Sequence, residues 1–443
     1  VKSVELARMA FVPVMRPLFR GARMGLEEGM GALLAEVGGE LGAKVISLEP
    51  VRTAEEAEVA ARRVAGEGAD LLVLGLVTFA TGDLFRPFLD LPTPKVLWAL
   101  PEAWTGGPLP QNALCGLNLA LSLPGVRGVR WLYGPPDRVR LREVLAPVLA
   151  AVRGLRVLRE ARLLWLGGPA PGFERFGERP LTGPRVDEVG LEAFFAAYEA
   201  VEEKALAEAL ASWRELAGLG EAGVRLARVA LALKALAEGY DGVAFRDWPE
   251  VPDRLGVFPS AALAVLGDEG LLVAPEGDLM GLLSQLVLRA VGGRDPILLD
   301  IVAVDDRGVL LWHGGEAPRS WASEGGALLP HFNRGVPAVR HLVLREGPVT
   351  GLRLTGRGFV CFGGRLDGRG AYIGASGWLR DIVWSDEPLA PRAFLGRWLG
   401  AGMPHHLALG QGECVEALRE LGRLAGLEAL QGEEGGVWGA SWE

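Results

Sequence analysis

The chain is poor in the residues that staple or tether a protein. It holds only three cysteines in 443 residues, Cys115, Cys361 and Cys414, and no two form a CxxC pair. That spacing excludes a disulfide framework and a thiolate zinc site, and it fits a reducing cytoplasm. No run of about 20 apolar residues marks a membrane span. The early apolar stretch "MAFVPVM" is too short, and wrongly flanked, for a signal peptide. Basic blocks are missing as well: 46 Lys and Arg are scattered among 55 Asp and Glu, for a net charge of -9. A nucleic-acid partner is not expected, because phosphate backbones are held by clustered Lys and Arg. No GxGxxG follows the first apolar run, which argues against a dinucleotide site. Histidine is rare too, with five in the chain, yet two of them are adjacent, His405 and His406.

What is present is ample core material, 49% apolar residues, over a length that suits two or three domains. Residues 1–155 alternate short apolar runs with helical spacing: "RMAFVPV" (8–14), "AKVISL" (43–48), "ADLLVLGL" (69–76), "PKVLWAL" (94–100) and "GVRWLYG" (128–134). Continuous apolar strands between helices predict a parallel sheet covered on both faces. A second α/β unit starts at "ARLLWLGG" (161–168), followed by an irregular loop over 167–184 and two long helices over 190–239. It continues through "DGVAF" (241–245), "EGLLVAP" (269–275), a helix over 278–291, "PILLDIVAV" (296–304) and "GVLLWH" (308–313). Beyond Ala317, frequent glycine and short apolar runs predict an antiparallel β domain that ends in a helix over 413–427. The expected division is an α/β domain over 1–158, a second over 159–316 and a β-rich domain over 317–443.

Four features carry chemistry. Glu276 follows the strand-like "GLLVA", and ligands of open α/β sheets bind beyond the carboxyl ends of strands. Its neighbour Asp278 precedes a helical stripe of Leu279, Leu282, Leu283 and Leu286 and reads as an N-cap. Asp300 interrupts "ILLDIVAV", where a lone carboxylate must be paired, protonated or bound to metal. His313 ends "GVLLWH", and the "DDRG" turn predicts a hairpin. A two-residue loop at Asp306–Arg307 would place His313 directly opposite Asp300, with Cβ atoms about 4.5–5.5 Å apart; a bulge at Gly308 would shift that register by one. Finally, "GMPHHLALGQG" (402–412) carries His405 and His406. Two carboxylates with histidines, and no thiolates, suit Mn²⁺ or a similar divalent cation.

The sequence resembles the L-fucose isomerase/L-arabinose isomerase superfamily, particularly its shorter fucose-isomerase-like members. The likeness runs through "LVTFATGD" (76–83), "PKVLWALPE" (94–102), "NALCGLN" (112–118), "DWPEVPDRLGVFPSAALAVLGDEGLLVAPEGDLMGLL" (247–283), "LLWHGGEAPRSWA" (310–322) and "MPHHLALGQGE" (403–413). It implies two Rossmann-like α/β domains followed by a β-rich C-terminal domain. It implies a metal-dependent aldose–ketose isomerase of a small L-fucose-, D-arabinose- or L-arabinose-like sugar, working by proton transfer through an enediolate. Glu276 and Asp300 would be catalytic carboxylates and metal ligands, with His406 and, in the arabinose branch, His313 completing the set. His405, Phe79 and Trp104 would meet the sugar. The resemblance also implies a homo-oligomer, hexamer or trimer, in which residues near Phe79 or Trp104 approach a neighbour's pocket. Pro275, Gly314 and Ser260 stand where the family commonly has Cys, and His405 where fucose isomerases have Asn. These departures leave open a modified or sulfonated sugar, and a sugar-binding member without catalysis.

Overall fold

A computed structural model describes residues 6–127, 129–180, 183–370 and 372–432. Gly128, where the expected strand over 128–134 begins, and residues 181–182 of the expected loop lie outside the described residues, as does the end of the chain from 433. The chain divides into two compact units, residues 1–153 and 154–443.

The first unit is a five-stranded sheet of β1 (Ala7–Val14), β2 (Ala43–Ser47), β3 (Leu71–Leu76), β4 (Lys95–Ala99) and β5 (Arg130–Tyr133), in the order β2-β1-β3-β4-β5. Every pairing is parallel. The unbroken apolar runs follow from burial on both faces. Ala10, Val12 and Val14 join Leu72, Leu74 and Leu76 in one core. Met9 and Phe11 join Leu71 and Val73 in the other. The helix Ala54–Gly66 starts with a Thr53–Glu56 capping box, which satisfies backbone donors at both positions.

The second unit contains two sheets. β6 (Arg162–Leu166), β7 (Arg185–Val189), β8 (Gly242–Phe245) and β9 (Val273–Ala274) pair in parallel in the order β7-β6-β8-β9. β7 was not expected: its sequence, "RVDEV", is too polar to announce a strand. The two long helices expected over 190–239 are four: Leu191–Glu199, Glu203–Ser212, Arg214–Ala217 and Glu221–Leu236. Trp213 leaves helical geometry, and Gly220 at φ 60° turns the chain. Gly223 lets the last two helices close up, since a Cβ there would lie 1.8 Å from the Leu216 carbonyl oxygen.

The other sheet has ten strands: β10 (Arg294–Val304), β11 (Val309–His313), β12 (Ala322–Pro330), β13 (Pro337–Leu344), β14 (Gly347–Leu354), β15 (Gly358–Leu366), β16 (Ala375–Trp384), β17 (Glu387–Pro388), β18 (His406–Gln411) and β19 (Glu428–Ala429). The strands β16-β11-β10-β18-β14-β15 form a closed ring, because β15 also pairs with β16. β10 and β11, expected among the strands of the second α/β unit, are therefore barrel strands. Ile297, Leu299, Val309, Leu311, Leu407 and Leu409 fill one core inside this ring. By strand alternation, Leu298, Asp300, His406 and Ala408 take the opposite face. The helix Leu279–Val291 packs over that face, on β10, β14 and β18.

The hairpin register differs from expectation. Near the turn it runs as anticipated, with Val304 opposite Val309 and Ala303 opposite Leu310. An irregularity between Ile301 and Ala303 then shifts the pairing by one, so Asp300 faces Trp312 rather than His313. The extra residue sits inside the strand, at Val302, not at Gly308. Across its other edge, Asp300 is the direct partner of His406.

Candidate active site

Glu276 stands in a sharp turn between β9 and the helix Leu279–Val291. Its backbone is left-handed, φ 61° and ψ 10°, and Gly277 follows at φ 69°. Gly277 cannot carry a side chain, because a Cβ would lie 1.9 Å from the Gly168 carbonyl oxygen. Glu276 has a side chain nonetheless, and a left-handed non-glycine residue costs about 1–2 kcal/mol. Its surroundings offset that cost. The Glu276 N–H donates to Asp247 Oδ1 at 2.7 Å, and its carbonyl accepts from the Ala170 N–H at 2.8 Å. Trp248 Nε1 donates to Oε1 at 3.2 Å. That leaves Oε2 facing His405 Nε2 at 3.5 Å and His406 Nε2 at 3.4 Å.

His406 is fully buried and stacks on Phe176, with ring centroids 4.6 Å apart. Its Nδ1 meets Asp278 Oδ2 at 3.0 Å, while its Nε2 lies 3.5 Å from Asp300 Oδ1. Asp278 is the expected N-cap, accepting from the Gly281 N–H at 2.9 Å. It also takes both Arg353 Nη atoms, at 2.5 and 2.9 Å. His313 is held in the same manner: Glu316 Oε2 meets its Nδ1 at 2.6 Å, and Ser260 donates to the other oxygen of Glu316. The two Nε2 atoms of His313 and His406 then face each other at 3.0 Å.

These neighbours assign the protons. A carboxylate at each Nδ1 keeps a proton on each Nδ1. Two bare Nε2 lone pairs at 3.0 Å would repel, so a proton or a cation must stand between them. Without a cation, that role falls to His313. Burial would lower its pKa, but the charge and hydrogen bond of Glu316, with Asp300 and Glu276, raise it to about 10. Burial would raise Glu276, but the His405 hydrogen bond and the charges of His406, His313 and His405 hold it at about 2. Asp278 is likewise held low, as Arg353 and His406 outweigh its burial. Asp247 moves the other way, pushed up to about 8 by burial and then by the Glu276 charge. His405 is raised despite burial, through its hydrogen bond to Glu276 and the charges of Asp300 and Glu276.

The donor set fits a divalent cation. Ligand atoms of Glu276, His313 and His406 lie within 4.8 Å of one another, and so do those of Asp300, His405 and His406. Asp300 Oδ1 is buried without a hydrogen-bond partner, a costly state for a carboxylate oxygen that a cation would relieve. The carboxylates behind His313 and His406, Glu316 and Asp278, form the arrangement that orients metal-binding histidines.

Five of the seven residues expected at the site thus converge: Glu276, Asp300, His313, His405 and His406. Phe79 and Trp104 belong to the other compact unit, where Phe79 packs 6.1 Å from the Phe19 ring and Trp104 Nε1 donates to the Pro108 carbonyl. Sequence reasoning missed Asp247, Glu316, Trp248 and Phe176, and saw in Asp278 only the cap. Asp247 carried a usable signal, since it lies two residues past a buried strand, as Glu276 does. Phe173 and Phe176 come from the stretch read as an irregular loop; they pack on His405 with ring centroids 5.1 and 4.9 Å away.

No protein-family model matches the chain. It is 28% identical to a sulfoquinovose isomerase of Priestia megaterium over 87% of its own length and 90% of that protein's. A sulfoquinovose isomerase of Alkalicoccus urumqiensis is 26% identical over 82% of this chain and 86% of its own. Among solved structures, a Mycobacterium smegmatis protein in complex with β-D-fucofuranose aligns over 66% of this chain and 80% of its own, with a TM-score of 0.19 and 12% identity, too distant to support an argument.

Proposed function

We propose that this protein, a sugar isomerase that interconverts an aldose and its ketose, acts on a sulfonated sugar and does so at the Glu276–Asp300–His313–His406 cluster. The observation that carries the reading is the convergence of Glu276, His313 and His406 ligand atoms within 4.8 Å. The relatives support the substrate: both are named for a modified sugar. That replaces the expected L-fucose- or arabinose-like substrate with the modified alternative.

Glu276, Asp300, His406 and His313 would hold a divalent cation, Mn²⁺ by its donor chemistry, which when bound polarises the two sugar oxygens and stabilises negative charge on them. Glu276 is ionised at neutral pH, so its carboxylate can accept the C2 proton of the aldose and return it to C1 through an enediolate. Asp300 shifts the hydroxyl proton between the adjacent oxygens. Asp278 and Glu316 hold the two imidazoles so that each Nε2 points inward. His405, half-exposed beside Glu276, offers a hydrogen-bond donor to an anionic sugar. Phe173 and Phe176 limit the access of water. Phe79 and Trp104 complete the pocket of a neighbouring subunit in a homo-oligomer.

The test is a substrate panel with added Mn²⁺: sulfoquinovose, its unsulfonated parent glucose, L-fucose and L-arabinose. The reading expects kcat/KM for sulfoquinovose to exceed the others by at least about tenfold, roughly one added ionic contact. Equal or better turnover of L-fucose would overturn the substrate assignment.

A further inference from the structure

Glu276 is the residue on which the proposed reaction turns, yet its backbone conformation disfavours a side chain. The turn is fixed at several points. Gly277 is pressed against Gly168, and the Gly277 carbonyl accepts from Trp165 Nε1 at 2.9 Å. The Glu276 carbonyl is tied to Ala170. The Glu276 N–H, however, has a side chain as its partner, Asp247 Oδ1 at 2.7 Å. Asp247 is 2% exposed and sits just past the end of β8, the strand next to β9. The adjacent Trp248 reaches the same residue from the other end, through Oε1. One dipeptide therefore grips both the main chain and the side chain of Glu276.

We propose that Asp247 is a positioning residue: its carboxyl oxygen, by accepting the Glu276 N–H, holds the left-handed turn that aims Glu276 Oε2 at His405 and His406. The inference rests on the isomerase reading for its consequence but not for its geometry. An acceptor oxygen is required, and a negative charge is not. Asparagine keeps that oxygen at the same reach, and alanine removes it.

The experiment compares Asp247→Asn and Asp247→Ala with the parent protein. Hydrogen–deuterium exchange of the peptide spanning 273–279, in the protein without added metal, reads the turn directly. Exchange should be faster in Asp247→Ala and unchanged in Asp247→Asn. With Mn²⁺ as the probe, calorimetric affinity should fall about tenfold in Asp247→Ala and under threefold in Asp247→Asn. Turnover should show the same split, with kcat reduced at least about tenfold and KM within about twofold, because the sugar's own contacts are untouched. Thermal melts confirm that each variant folds. If Asp247→Ala does not fold, Asp247→Ser, whose shorter hydroxyl restores the contact poorly, takes its place and should exchange faster than both the parent and Asp247→Asn. Equal exchange in parent and Asp247→Ala would overturn the proposal, and so would equal impairment in Asp247→Asn and Asp247→Ala. If the parent turns over no sugar, the isomerase reading fails, while the exchange arm still decides the role of Asp247.

Discussion

Asp278 serves three partners with two oxygens. It caps the helix Leu279–Val291, pairs with buried Arg353 and fixes the tautomer of His406. Removing it strands a buried guanidinium, so Asp278→Ala should cost about 3–5 kcal/mol in denaturant unfolding. Its folded pKa is depressed, so its stabilisation is full above the ordinary Asp range and is lost as the pH falls below it. Glu276→Gln and Asp300→Asn should retain the fold and each lower kcat at least about 10²-fold, checked by steady-state kinetics. The sequence exposed Glu276 by its place beyond a strand, and Asp300 by its apolar setting. It showed Asp278 only as a cap, because local spacing reveals a helix start and nothing about Arg353, 75 residues away. Asp247 was legible by its place past a strand, but its role was not, because its partner Glu276 is 29 residues away. Glu316 is only three residues from His313, but nothing in that short stretch marks the contact.

The turn Pro275–Asp278 carries most of the site's positional information. Two successive left-handed residues reverse the chain between β9 and the helix, and Gly277 has no space for a Cβ. Gly277→Ala should cost at least about 1–3 kcal/mol from backbone strain alone, visible as a lowered melting temperature, and should weaken metal binding by displacing Glu276. The β10–β11 hairpin shows where element-level reading stops. Its loop was legible from "DDRG", but the irregularity at Val302 was not, because nothing in an apolar run of β-prone residues marks the one left unpaired. The central strands of the first unit, β1, β3 and β4, were legible from continuous apolar runs buried on two faces. β7 was not, because it is polar. β10 and β11 look alike whether they complete a parallel sheet or a barrel, and only their pairing with β18 and β16 decides.

For the whole molecule, the expected cation and the proton on His313 compete for one place. His313 is raised to about 10, so at pH 7 the metal-free protein holds a proton that a cation at Nε2 must expel. Apparent Mn²⁺ affinity should therefore rise about tenfold per pH unit between pH 6.5 and 8.5, with close to one proton released in calorimetry across buffers of different ionisation heat. The same shift means that His313 stabilises the metal-free fold fully below its ordinary value of about 6.5, and that this is lost as pH rises through the raised one. The most direct test of the central claim is to follow sulfoquinovose by NMR in D₂O, with chelator-treated protein and then with Mn²⁺ restored. That claim requires no turnover before Mn²⁺ is added, ketose formation afterwards, and solvent deuterium at C1, because a carboxylate that carries the proton exchanges it with water. Full turnover in the presence of chelator, or complete retention of the original C2 hydrogen at C1, would contradict it.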